Sequence, residues 1–178
     1  MNKENKDNQD KADRQIVSSR HLASEKGWQL SEYEYGLIMA FHAFSRWMTR
    51  CMAAAGNQEM SPLDILVLHH VNHRDRQKRL SDISFLLNVE DVHTVNYALK
   101  KLVKSGLIAG EHNGKEIFYS TTKAGVALCE TYREVREQCL VGSLKTMDFN
   151  PDELRRVAGM LRTLSGFYDQ ASRAAASL

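Results

Sequence analysis

Between residues 31 and 55 the apolar side chains Tyr35, Leu37, Ile38, Met39, Phe41, Phe44, Trp47, Met48 and Met52 recur at helical spacing. They run most of the way round the predicted helix, so it must be covered on more than one side. Ser31 with Glu34 reads as a capping box, and Gly56-Asn57 closes the far end. A second helix is predicted over 61–71, with Ser61 as N-cap, Pro62 at the first helical position and Asp64 in the first turn. Its residues Leu63, Ile65, Leu66, Val67, Leu68 and Val71 mark it as a core element.

A denser pattern follows over 80–125. Ile83, Leu86 and Leu87 fall three and four apart over 80–88, with Ser81 placed as N-cap. After a short polar connection, 91–105 carries Val92, Val95, Leu99, Leu102 and Val103 at the same spacing, and Gly106 ends the helix. His93, Thr94, Asn96, Tyr97, Lys100 and Lys101 are left on its outer faces. Leu107-Ile108 and residues 117–120 are β-prone and flank the polar turn His112-Asn113-Gly114-Lys115, where the Asn-Gly pair is a strong hairpin signal. Helix, turn, helix and hairpin in this order predict a winged helix, whose second helix offers small polar and basic groups for base edges and phosphates. A further helix is expected from Thr122 to about Leu144, then a linker at 145–150, then a last helix opened by Asn150-Pro151-Asp152-Glu153. That helix bears Leu154, Val157, Met160, Leu161, Leu164, Phe167 and Tyr168 and is expected to fray beyond Ser172.

The region over 80–125 resembles the MarR family of bacterial transcription regulators. The residues that carry the likeness are Leu80-Ser81-Asp82-Ile83, then Thr94-Val95-Asn96 with Leu99 and Leu102, then Lys104-Ser105-Gly106-Leu107-Ile108, and Thr122-Lys123-Ala124-Gly125 after the hairpin. The resemblance implies a mainly α fold: a winged helix-turn-helix with a small β-hairpin wing and additional N- and C-terminal dimerisation helices. It divides the chain into a flexible arm (1–28), a dimerisation helix (29–60), a DNA-binding lobe (61–125) and C-terminal dimerisation helices (126–178). It also implies a homodimer on double-stranded DNA, probing a pseudo-palindromic operator as a repressor. The family's wing commonly carries Asp-x-Arg, with the Arg entering the minor groove; here Asn113-Gly114-Lys115 stands in its place. Lys115 keeps the charge and loses the planar fork.

Composition narrows the partners. With 178 residues and a net charge of +2, the chain is not a polycation, so a nucleic-acid face has to come from local clustering. The sharpest cluster is His73-Arg74-Asp75-Arg76-Gln77-Lys78-Arg79, in which Arg76 and Lys78 are candidate phosphate contacts. Residues 1–14 are polar with mixed charge and predict a disordered arm. Three cysteines without metal-type spacing predict reduced thiols and a cytoplasmic protein, and no apolar stretch is long enough to cross a membrane.

Four other chemistries compete. His69 and His73 lie four apart near a helix end, but without a nearby cysteine they predict no metal site; cationic groups also suit a helix C-terminus. Cys51 beside Arg50 could be a redox thiol, although a lone Cys on an amphipathic helix is more often core. No nucleophile triad, phosphate loop or paired carboxylates indicate an enzyme, and no cofactor is expected. Tyr33, His42, Arg46 and Trp47, with His69 and His70, mix aromatic, basic and titratable groups. The MarR resemblance would place them along a crevice for a small aromatic effector. The competing function is a winged helix used for protein–protein contact with no DNA target.

Overall fold

The computed structural model describes residues 27–145 and 150–178. The expected disordered stretch at 1–14 and most of the 145–150 linker lie outside the described residues. The chain divides into two compact units, residues 1–132 and 133–178.

In the first unit, α1 (Trp28–Ala54) and α2 (Pro62–Asn72) are followed by a short 3-10 turn (His73–Asp75) and the two-residue strand β1 (Lys78–Arg79). Then come α3 (Leu80–Leu87), α4 (Val92–Lys104), β2 (Ile108–Asn113), β3 (Glu116–Thr121) and α5 (Lys123–Arg136), whose last residues cross the boundary between the units. The strands form one antiparallel sheet in the order β1-β3-β2.

The core is built from the helical stripes. Met48, Cys51 and Met52 of α1 are buried with Ile65, Val67, Leu68 and Val71 of α2, and with Val95, Ala98, Leu99 and Leu102 of α4. Ile83, Ile108, Tyr119 and Tyr132 complete it. The N-terminal half of α1 is different: Leu37, Ile38, Met39, Phe41 and Phe44 are exposed in the single chain.

Two caps differ from those expected. Helix α1 starts at Trp28, so Ser31 lies inside it, buried, with its hydroxyl directed back to the Gly27 carbonyl at 3.5 Å. Ser81 likewise falls inside α3; the N-cap is Arg79, whose backbone N–H donates to Asp82 Oδ2 at 3.1 Å. The predicted cap of α2 is present in full: Asp64 N donates to Ser61 Oγ at 3.2 Å and Ser61 N to Asp64 Oδ2 at 2.8 Å.

The Thr122-Lys123-Ala124-Gly125 phrase has a packing reason. Thr122 Oγ1 donates to the Gly106 and Leu107 carbonyls and accepts from Gly125 N at 3.2 Å, which sews the start of α5 to the end of α4. A Cβ at Gly125 would overlap the Leu107 carbonyl oxygen, so only glycine permits this approach.

In the second unit a π-turn (Glu137–Val141) leads into α6 (Gly142–Lys145), and α7 (Pro151–Ala175) follows. Asn150 caps α7, its Oδ1 accepting from Asp152 N at 2.9 Å. The helix runs to Ala175, past the fraying point the sequence suggested, and exposes Leu154, Val157, Met160, Leu161 and Phe167. Among the described residues, no helix is long and apolar enough to cross a membrane.

Candidate nucleic-acid interface

Helix α4 is seated by its apolar stripe: Val95, Leu99 and Leu102 are fully or almost fully buried. Its N-terminus is fixed by Asp91, which accepts from His93 N at 2.9 Å, and by Thr94 Oγ1, which donates to the Asp91 carbonyl at 2.7 Å. Asn88, in the left-handed region at φ 52°, makes the turn from α3. Short polar residues tolerate that conformation better than branched ones. The rigid seat leaves His93, Thr94, Tyr97 and Lys100 exposed and Asn96 half-buried on the outward side. Toward the C-terminal end, Tyr97, Lys100 and Lys104 border an open groove of about 590 Å³ whose floor includes Met60 and Leu102.

Two lysines of the expected set have other work. Lys101 reaches away from the outer face, its ammonium 2.7 Å from both the Glu59 carbonyl and Asp64 Oδ2. It neutralises a carboxylate whose side chain is 5% exposed, and so ties α4 to the start of α2. Lys78 is buried, and its ammonium donates to the carbonyls of Val71, His73 and Arg76. A buried cation needs such partners to offset lost hydration, which removes Lys78 from any phosphate-binding role. Arg76 remains exposed in the same loop. The two residues of β1 likewise have opposite fates, because the strand turns Lys78 to the buried face and Arg79 to the other, while Arg76 lies before the strand.

The wing is a two-residue hairpin with Asn113 opposite Glu116 and the turn at Gly114-Lys115, one residue later than Asn-Gly suggested. Gly114 has φ 63° and Lys115 is not in the positive-φ region, so the turn is of the Gly-X type II′ kind. Asn113, Gly114 and Lys115 are exposed at the tip. At its base, Gly110 lies opposite Tyr119, and a Cβ there would press on the Tyr119 ring at 3.3 Å.

The wing is joined to the helix-turn-helix by side chains that sequence reasoning did not single out. Arg79 Nε donates to Asp82 Oδ2 and Nη2 to Asp82 Oδ1, both at 3.1 Å, while Nη1 reaches Glu116 Oε1 at 3.1 Å. The guanidinium hydrogen bonds hold the Asp82 carboxyl below its usual range and raise the Arg79 pKa further. Gln77 Nε2 donates to Glu111 Oε2 at 2.9 Å. The sequence signal for these contacts was the basic run before α3; what it lacked was the third strand that brings the run beside the wing.

The candidate effector residues are dispersed along α1 and α2. Tyr33 and Trp47 are half-buried, whereas His42 and Arg46 are exposed, with the His42 ring edge-on to Phe41 at 5.5 Å. The His69 ring packs edge-on against Tyr132 at 4.5 Å, and burial lowers its pKa. His70 is also shifted down, first by burial and then by Lys78 and its other cationic neighbours. Cys51 is buried and its thiol meets the Tyr132 carbonyl at 3.6 Å. Among the described residues, no group of three or more His, Cys, Asp or Glu side chains is placed to hold a metal ion.

Comparison with known proteins bears on the same region. The model of the winged helix DNA-binding domain matches residues 60–125. Among solved structures, a MarR mutant from E. coli complexed with operator DNA superposes with a TM-score of 0.63 at 17% identity, covering 79% of this chain and 99% of that one. A probable transcriptional regulator from Pseudomonas aeruginosa has a TM-score of 0.55 at 20% identity, with 74% and 95% covered. MepR, a transcription regulator of the Staphylococcus aureus multidrug efflux pump MepA, has a TM-score of 0.54 at 17% identity, with 76% and 98% covered. No curated protein sequence gives a significant match. Residues 60–125 therefore match the winged helix DNA-binding domain, in a chain whose fold is similar to that of the E. coli MarR structure.

Proposed function

We propose that this protein is a sequence-specific transcription regulator that binds double-stranded DNA as a homodimer and acts as a repressor. Helix α4 would enter the major groove, with His93, Thr94, Asn96 and Tyr97 toward the bases and Lys100 and Arg76 toward phosphates. Asn113 and Lys115 at the wing tip would meet the adjacent minor groove. The observation that carries this reading is the contrast on α4 itself. Its inner residues Val95, Leu99 and Leu102 are buried, while His93, Tyr97 and Lys100 are exposed and make no side-chain ion pair with another element among the described residues.

The dimer reading rests on the apolar residues that α1 and α7 each leave exposed in the single chain. A mate covering such faces typically buries upward of ~2,000 Å². Sedimentation showing a stable monomer at micromolar concentration would refute it. A small aromatic effector remains a proposal for the Tyr33, His42, Arg46, Trp47, His69 and His70 group. Its support is the mixture of half-buried rings, Tyr33 and Trp47, and exposed basic groups, His42 and Arg46, on one helix.

The test of DNA binding is selection of bound sequences from a random duplex pool, followed by titration at rising salt. A regulator yields an enriched pseudo-palindrome and an affinity that falls linearly with log salt. A protein-docking winged helix yields neither, and that outcome would favour the competing function.

A further inference from the structure

The wing carries two carboxylates near its tip, Glu111 and Glu116, against the single ammonium of Lys115. Left free beside a duplex, they would repel phosphate. The register shows where they go instead. Glu111 on β2 lies opposite Phe118 on β3, and Arg79 on β1 lies opposite the same Phe118. Glu116 is two residues from Phe118, so all of these side chains share one face of the sheet. On that face Arg79 binds Glu116 through Nη1 at 3.1 and 3.3 Å, and its other nitrogens hold Asp82 in the first turn of α3. Gln77 holds Glu111.

We infer that the Arg79–Glu116 pair, braced by Asp82 and by Gln77–Glu111, is a latch that sets the wing's position relative to the helix-turn-helix and thereby tunes DNA specificity. The inference rests on the proposed DNA-binding reading. Two contacts made by one protein on neighbouring grooves are productive only when their spacing matches the duplex. A two-stranded hairpin alone is too pliant to hold that spacing. Arg79 supplies the missing rigidity, because its planar fork is shared between the wing and the helix that packs under α4. The same bonds turn Glu116 toward protein and leave Lys115 as the charge the tip offers outward. Glu116 is thus a positioning residue, and Lys115 the group that it aims.

The test compares the wild type with Glu116→Gln, Arg79→Gln and the double variant, all in the full chain. Amide hydrogen exchange reads the latch without DNA. Glu116→Gln should speed exchange in the wing (108–121) by roughly 2–5-fold, the scale of one well-formed surface pair, and leave α4 unchanged. In the double variant the effects should fall short of the product of the single ones. The DNA arm uses the selected operator and a copy with altered flanks. Glu116→Gln should lose about threefold in its preference between the two, while its low-salt affinity for either holds or rises because a negative charge is gone. Lower affinity for both duplexes with an unchanged ratio would reveal a merely structural role and overturn the inference. Unchanged wing exchange would refute the latch itself. A wild type that binds no duplex would instead refute the DNA reading, and the specificity role with it.

Discussion

Lys100 and Lys101 are neighbours in sequence and in charge, yet the structure assigns them separate tasks, and substitution should separate them. Lys101 is bonded at 2.7 Å to Asp64, whose side chain is 5% exposed against 37% for the lysine. Lys101→Met would remove the cation and leave the Asp64 carboxylate accepting only from Ser61 N among the described residues. Breaking a fully buried pair costs about 3–5 kcal/mol. Because water can reach the pair from the lysine side, the cost should shrink to roughly 1–3 kcal/mol, near that of an under-satisfied polar group. Lys100 is exposed and has no ion pair among the described residues. Lys100→Met should leave stability within about 0.5 kcal/mol of wild type. It should lower the log–log salt slope of DNA binding by roughly 0.9, one phosphate contact. Urea denaturation gives the first quantity and salt titration of operator binding the second. A Lys101→Met protein as stable as wild type, with a salt slope reduced like that of Lys100→Met, would show that Lys101 contacts phosphate and would refute the reasoning. Asp64→Asn made in the Lys101→Met background should then cost less than Asp64→Asn alone, since the charge it removes has already lost its partner.

Other outcomes follow from single features. Gly125→Ala should destabilise by about 1–3 kcal/mol in a thermal melt, because the new methyl would overlap the Leu107 carbonyl, whereas the exposed Ala124→Ser should not. Asn96→Ala should cost roughly 1–3 kcal/mol at one base position and relax selectivity there, read by competition with single-base operator variants; an equal loss on random duplex would remove its base-reading role. Burial depresses the His69 pKa, so the unfolded chain takes up a proton that the folded chain refuses. Stability should therefore be greatest above about pH 6.5 and decline as pH falls below it, and His69→Phe should flatten the urea midpoint between pH 7.5 and 5.5. Lys115→Arg should tighten binding and sharpen preference for A·T flanks, with Lys115→Ala lowering the salt slope by roughly 0.9.

Sequence alone determined the elements whose cause is local. The stripe Val95, Leu99, Leu102 makes α4 a helix with one buried face, and Ser61-Pro62 and Asn150-Pro151 start α2 and α7 through caps that involve only a few adjacent residues. Gly114 announced a hairpin because its backbone freedom is intrinsic, and the order of these elements was enough to suggest the winged helix. Where a decision depended on distant chain, the sequence was silent or misleading. Ser31 and Ser81 have the chemistry of caps but sit inside their helices, whose N-caps are Gly27 and Arg79. Lys78 and Lys101 read as solvent cations; the loop carbonyls and the buried Asp64 that claim them come from other elements. Arg79 and Glu116 are 37 residues apart and meet because a two-residue strand pairs with the wing. Periodicity reports which face of an element is buried. Only the tertiary arrangement decides which charge on that element is already spent, and therefore which charges remain for DNA.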